Sequence, residues 1–147
     1  MILCVMSDTH GNRALMHRVA DQMMRDARAE CILHLGDDYT DGEELAMAGY
    51  PVEFVPGLWC AAYRSPRAPN MRVLEFAGVR VALAHDMRDI HGPARAAQVV
   101  LVGHTHEARI VCREGVLYVN PGHLKASKHR GEYPSYAVVD IRPGEVT

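Results

Sequence analysis

Residues 1–12 read MILCVMSDTHGN, and this stretch decides the fold. The run 1–6 is short, continuous and apolar. It predicts a strand buried on both faces, as in a sheet covered above and below. The run breaks into a polar loop at Ser7-Asp8-Thr9-His10-Gly11. From residue 12 the period changes. Leu15, Met16, Val19, Ala20, Met23, Met24 and Ala27 recur at three- and four-residue spacing, with Arg13, Arg18, Asp21, Arg25 and Arg28 mostly opposite. That pattern predicts an amphipathic helix over 12–28, with Asn12 as its N-cap. A strand, a polar loop and a helix in this order open an α/β unit.

The elements that follow extend it. A second strand is expected over 31–35, broken by Gly36-Asp37-Asp38. A short helix over 41–48 has Asp41 to cap it, Gly49 to end it and Pro51 after it. A third strand, 52–55, closes at Pro56-Gly57, and 58–70 has no period and reads as loop. The second half turns β-rich. Runs 72–76 and 79–84 flank Ala77-Gly78, a hairpin signal. Residues 85–97 contain Gly92-Pro93, leaving room for at most a short helix. A strand over 99–102 ends in Gly103-His104-Thr105-His106, a second hairpin joins 109–112 to 116–119, and a last strand covers 136–141. Alternating β and α elements, then hairpins, predict a layered α/β sandwich, one domain over 1–147.

Composition narrows the function classes. The 147 residues are 48% apolar and 23% charged with a net charge of −2, which excludes a disordered or fibrous chain and gives no basic excess for a nucleic-acid partner. The start lacks the basic region of a signal peptide, and no apolar stretch approaches a membrane span. The four cysteines form no CxxC pair and mostly sit in apolar runs, so a cytoplasmic protein with reduced thiols is expected. Exposed hairpins of the second half could pair in a homo-oligomer.

The distinctive count is nine histidines. Asp8-Thr9-His10, Gly36-Asp37-Asp38, His85-Asp86 and His104-Thr105-His106 each follow a predicted strand, where open α/β sheets place their ligand sites. On extended backbone, residues i and i+2 point the same way, so D-x-H and H-x-H can each aim two donors into one cavity. Mixed carboxylate and imidazole donors suit manganese, iron or zinc. Two Asp and four His exceed one tetrahedral ion and fit two ions sharing a carboxylate. His17, His34, His91 and His129 read as structural, with His34 hydrogen-bonded in the core. A metallo-β-lactamase would place Asp two residues after the second His of its H-x-H, and here that residue is Ala108.

These motifs, with Asn120-Pro121-Gly122 and Pro134-Ser135-Tyr136-Ala137, resemble the calcineurin-like metallophosphoesterases, in their small single-domain bacterial and archaeal branch. The resemblance implies a four-layer α/β/β/α sandwich. It implies one metal on Asp8, His10 and His106, a second on His85 and His104, and Asp37 bridging both, with Asp37, His85 and His104 as the catalytic group. The implied cofactors are two divalent ions, manganese first, with iron, zinc or nickel as alternatives. The implied reaction is attack of a metal-activated water on a small phosphate ester.

One departure stands out. The family carries Gly-Asn after the third strand, and that Asn binds the second metal; here Gly57 is followed by Leu58, then Trp59 and Cys60. The segment 86–98 is also short for the family's crossover helix. Three readings follow: a dinuclear hydrolase with Asp38, Cys60 or His123 standing in, a slow enzyme with one tight metal, or a non-catalytic scaffold acting as a protein-binding module, as in the endosomal sorting coat. Retention of six ligands favours catalysis. Arg64, Arg67, Arg72 and Arg88 could contact phosphate but read more simply as surface arginines.

Overall fold

The structure is a computed structural model that describes residues 1–142 and the backbone of residues 145–146. Strand β1 (Ile2–Met6) leads to helix α1 (Arg13–Arg25), β2 (Cys31–His34), α2 (Tyr39–Met47) and β3 (Val52–Phe54). Then come β4 (Met71–Phe76), β5 (Val79–Ala84), β6 (Val99–Val102), β7 (Arg109–Arg113), β8 (Val116–Asn120), β9 (Ala137–Arg142) and β10 (Glu145–Val146). Two five-stranded sheets result, in the orders β10-β9-β1-β2-β3 and β4-β5-β6-β8-β7. The central strands β1, β2 and β3 are parallel, as are β5, β6 and β8, and hairpins add antiparallel edges.

Period-2 geometry divides each inner strand between two cores. Leu3, Val5, Leu33, Val81, Leu83, Val99 and Leu101 face one another between the sheets. Cys4, Met6 and Ile32 point the other way, onto Met16, Val19, Ala20 and Met23 of α1 and Leu45 of α2. The α/β/β layering therefore follows the expectation from continuous apolar runs.

The fourth layer is thinner than the resemblance implies. The outer face of the second sheet, at Ala82, Val100 and Val102, is covered by Ala94 and Ala97 beside a 3-10 turn at Gly92–Ala96, with a second such turn at Met87–Asp89. Pro93 stands in the first turn of Gly92–Ala96, and Ala97 ends it in extended backbone that leads straight into β6. An open groove of about 470 Å³ results beside this cover, lined by Met87, Val102, Arg109, Val111 and Tyr118 among others.

The helix ends differ from the pattern reading. Asn12 occupies the N-cap position of α1, but its side chain caps nothing and donates to the carbonyl of Leu124 at 3.0 Å. Asp38, not Asp41, caps α2, accepting the Thr40 N–H at 3.3 Å. Both predicted hairpins close on two-residue turns, Ala77-Gly78 and Glu114-Gly115, with positive φ at all four positions, the I′ geometry that matches strand twist. The short strand β10 had no signal in the apolar pattern.

Candidate metal centre

Five of the six expected ligands converge. Donor atoms of Asp8, His10 and His106 lie within 4.8 Å of one another, and so do those of Asp8, Asp37 and His85. Each comes from a strand end: β1 carries Asp8 and His10, β2 carries Asp37, β5 carries His85, and β6 carries His104 and His106. The parallel strands of the two facing sheets bring these C-terminal ends to one edge. Asp8 belongs to both groups. Asp37 also reaches the first, with Oδ2 3.0 Å from His10 Nδ1. His104 stands aside: its ring lies 5.2 Å from that of His85, and its Nε2 is 3.6 Å from the Asp86 carboxylate.

Asp8 is the most constrained of them. It is buried, and its Oδ2 accepts from the Ser7 hydroxyl at 2.6 Å and from the His104 backbone N–H at 3.0 Å. Its Oδ1 lies 3.1 Å from His106 Nε2. Burial acts to raise the Asp8 carboxyl, but the hydrogen bond from His106, the charge of His85 and the Ser7 hydroxyl outweigh it and hold Asp8 below the ordinary carboxylate range. Asp8 therefore stays anionic, as a cation ligand must.

The donor chemistry fits a divalent ion. His85 Nδ1 donates to the Leu35 carbonyl at 2.8 Å, so its Nε2 carries the lone pair, is buried and has no hydrogen-bond partner among the described residues. That is how metal-binding histidines are usually oriented: one nitrogen held by a backbone carbonyl, the other left for the ion. His10 Nε2 and His106 Nε2 are only 3.1 Å apart, beside two carboxylates. A cation would satisfy this crowd of lone pairs.

The backbone agrees. Among the described residues, nine non-glycine positions have positive φ, and four of them are Asp8 (54°), His10 (47°), His104 (68°) and His106 (66°). Left-handed backbone costs a side-chain-bearing residue about 1–2 kcal/mol, and such residues gather where function holds them. Asn120 braces the loop: its Nδ2 donates to the Gly103 carbonyl (2.8 Å) and Thr105 hydroxyl (3.0 Å), and its Oδ1 accepts from Gly122 N–H (2.9 Å).

The position where the family carries Asn is half-buried Leu58, directly after Gly57. Gly57 is packed against the Asp37 backbone so closely that a Cβ there would lie 2.5 Å from Asp37 Cα. Position 58 is thus anchored beside Asp37, but Leu offers no donor. None of the three expected stand-ins joins the convergent groups. Asp38 caps α2. Cys60 Sγ accepts the N–H groups of Tyr39 (3.4 Å) and Ala62 (3.3 Å). His123 is buried with both nitrogens engaged, Nδ1 by Lys125 N–H (3.2 Å) and Nε2 by the Glu132 carbonyl (3.3 Å).

Other polar residues sort plainly. His34 is a core residue as expected: its Nδ1 accepts Gly36 N–H (3.2 Å), so Nε2 donates to Thr9 (3.0 Å), and burial lowers its pKa to about 4. His17 pairs with Glu44 at 2.8 Å. Arg72 and Arg88 are committed to Glu53 and Asp86, and the guanidinium of Arg64 sits 5.4 Å from the Tyr63 ring centre. His129 also reads as structural in the sequence. Its ring lies 4.9 Å from that of His106, at the edge of the centre. The only signal for it in the sequence was the basic run Lys128-His129-Arg130, which points nowhere without the fold.

Comparison with known proteins identifies the family and the fold. The profile of the calcineurin-like phosphoesterase superfamily domain matches residues 1–144. A probable metallophosphoesterase of Mycoplasma pneumoniae is 20% identical over 156 residues, spanning 97% of this chain and 91% of the relative. A single mutant of Vps29 from Entamoeba histolytica superposes with a TM-score of 0.77 at 18% identity, covering 99% of this chain and 89% of that one. An archaeal phosphodiesterase superposes with a TM-score of 0.74 at 19% identity, covering 100% and 98%. At such identities the two structures speak to the fold alone.

Proposed function

Because the chain belongs to the calcineurin-like phosphoesterase superfamily, we propose that it is a metal-dependent phosphoesterase, hydrolysing small phosphomonoesters or phosphodiesters at a dinuclear centre whose second site is altered. The observation that carries this reading is the convergence of Asp8, His10 and His106, and of Asp8, Asp37 and His85, with the His85 lone pair aimed inward. The first ion would rest on Asp8, His10, His106 and Asp37, the second on Asp37, His85 and His104, with Leu58 supplying nothing. Mixed oxygen and nitrogen donors fit manganese, iron, zinc or nickel, and we assign manganese first. When bound, such ions supply Lewis acidity toward phosphoryl oxygens and lower the pKa of a water.

The chain's own residues prepare the site. Asp8 and Asp37 provide the negative charge that gathers cations, and Asp8 is kept ionised by its hydrogen bonds. Asp86, held by Arg88, sets its carboxylate 3.6 Å from His104 Nε2 and so faces that ring. We place the whole chain in one functional domain and assign the cytoplasm, since all four cysteines are unpaired. No helix among the described residues is long and apolar enough to cross a membrane.

The test is hydrolysis of p-nitrophenyl phosphate and bis(p-nitrophenyl) phosphate by the purified protein. Activity is expected to vanish with a chelator and return with Mn²⁺. Turnover that survives exhaustive chelation would overturn the mechanism. A second reading, a scaffold that binds another protein, draws on the open groove beside Val111 and Tyr118 and on the 70% exposed Ile110. Neither bound metal nor turnover in the wild type would favour it.

A further inference from the structure

We propose that the loop at 123–132 forms a cationic wall of the substrate site, in which Lys125 and His129 bind the phosphoryl group and select a doubly charged phosphomonoester over a singly charged diester. The inference deepens the phosphoesterase reading and rests on it.

The loop is built, not slack. Leu124 N–H donates to the Ser7 and Asp8 carbonyls, both at 3.2 Å, and the Asn12 amide donates to the carbonyls of Leu124 (3.0 Å) and Lys125 (3.4 Å). His123 is the buried strut already described. At the far end, His129 and Glu132 exchange two backbone hydrogen bonds of 2.9 Å around Arg130-Gly131, whose φ values of 50° and 93° make a tight hairpin turn. These ties place the His129 ring 4.9 Å from His106 and 5.7 Å from His123. Neither His129 ring nitrogen is hydrogen-bonded among the described residues, and the Lys125 ammonium makes no ion pair among them. Lys125 is near enough for its charge to act on both His10 and His129.

The charge around the centre is lopsided. Residues 121–131 hold two lysines, an arginine and two histidines and no acid. On the His104 side the cation Arg88 is spent on Asp86, 3.6 Å from His104 Nε2. The free donors of Lys125 and His129 therefore stand on the His106 side of the centre. A monoester differs from a diester in that respect: it has three non-bridging oxygens instead of two and nearly one more negative charge at neutral pH. Charge-assisted hydrogen bonds from an ammonium and an imidazole N–H would be made to that extra oxygen.

The experiment compares wild type, Lys125→Ala, His129→Ala and His129→Gln, all loaded with Mn²⁺, on p-nitrophenyl phosphate and bis(p-nitrophenyl) phosphate. Calorimetric binding of inorganic phosphate and metal content are measured beside the kinetics. Losing one charge-assisted contact should cut kcat/KM for the monoester by about tenfold, chiefly through KM, and weaken phosphate by a similar factor. The diester should change less than about threefold, and metal content should not change. His129→Gln, which keeps an N–H donor, should recover part of the loss. Equal losses on both esters, or unchanged phosphate binding in both alanine variants, would overturn the proposal. If the wild type hydrolyses neither ester, the phosphoesterase reading fails; the phosphate titration then still decides whether the wall binds the anion.

Discussion

The Asp8 carboxylate accepts the backbone N–H of His104 at 3.0 Å, and this bond joins the two sheets at the centre. Asp8 ends β1 of the first sheet; His104 follows β6 of the second. Through its other oxygen Asp8 meets His106 at 3.1 Å. One buried side chain thus sets how the candidate ligands on one sheet sit against those on the other. The apolar core between the sheets holds them face to face, and Asp8 sets how their strand ends align.

The contact depends on Gly103. A Cβ there would lie 2.7 Å from Asp8 Oδ2 and closer still to the Ser7 hydroxyl. Gly103→Ala should push the two loops apart, lower stability by about 1–3 kcal/mol as other overpacked sites do, and reduce metal content. Thermal unfolding and metal analysis of the variant read both effects. A variant with wild-type metal content would show that the loops separate without cost to the centre.

Asp37→Asn should abolish turnover and cut metal content with the fold intact. Asp37 touches His10 and belongs to the group with Asp8 and His85, so its charge serves both proposed ions. Its side chain is 19% exposed, which keeps the folding penalty of neutralising it small. Circular dichroism, metal analysis and ester hydrolysis on one preparation separate these outcomes.

The missing donor at Leu58 predicts two unequal metal affinities, the weaker governing activity. Leu58→Asn should narrow the gap and raise turnover at low metal. The residue is half-buried, so the lost apolar surface costs about 1 kcal/mol. Calorimetric titration of both proteins at one pH is the measurement. Two tight, equal sites in the wild type would mean that another residue already completes the second site.

His34 predicts an acid-labile fold. Its pKa is lowered from 6.5 to about 4, first of all by burial, so the folded state binds fewer protons than the unfolded chain between those values. The contribution is fully present above pH 6.5 and is lost as pH falls toward 4. It amounts to about 3 kcal/mol in total, about 2 of it gone by pH 5. Urea unfolding at pH 7.5 and pH 5, with chelator present, should show the drop in wild type and a smaller one in His34→Gln. Equal drops would place the acid lability elsewhere.

How much could be read before folding follows from range. The continuous apolar runs of β1, β2 and β6 announce burial on both faces, because a strand's alternate side chains reach both cores whatever the partners are. The hairpin turns Ala77-Gly78 and Glu114-Gly115 are equally local, since positive φ is a property of two residues. The candidate ligands were local in a similar way: Asp8, His10 and His106 lie within short loops directly after apolar runs, whereas the H-x-H spacing alone did not bring His104 into the convergent groups.

Other features depended on residues far apart in the chain. Nothing near Asn12 reveals that its amide serves Leu124, 112 positions away, instead of capping α1. Nothing near His129 reveals that a turn at Arg130-Gly131 and the anchors at Leu124 bring its ring against His106. That Cys60 and His123 spend their lone pairs on backbone N–H groups is likewise a matter of which loops meet. Local pattern determined the strands, the turns and the ligand-bearing loops, because periodicity and backbone preference act over a few residues. Only the tertiary structure decided which side chains share a space, because that depends on how two sheets pack across a common core and on which loops their packing brings to the same edge.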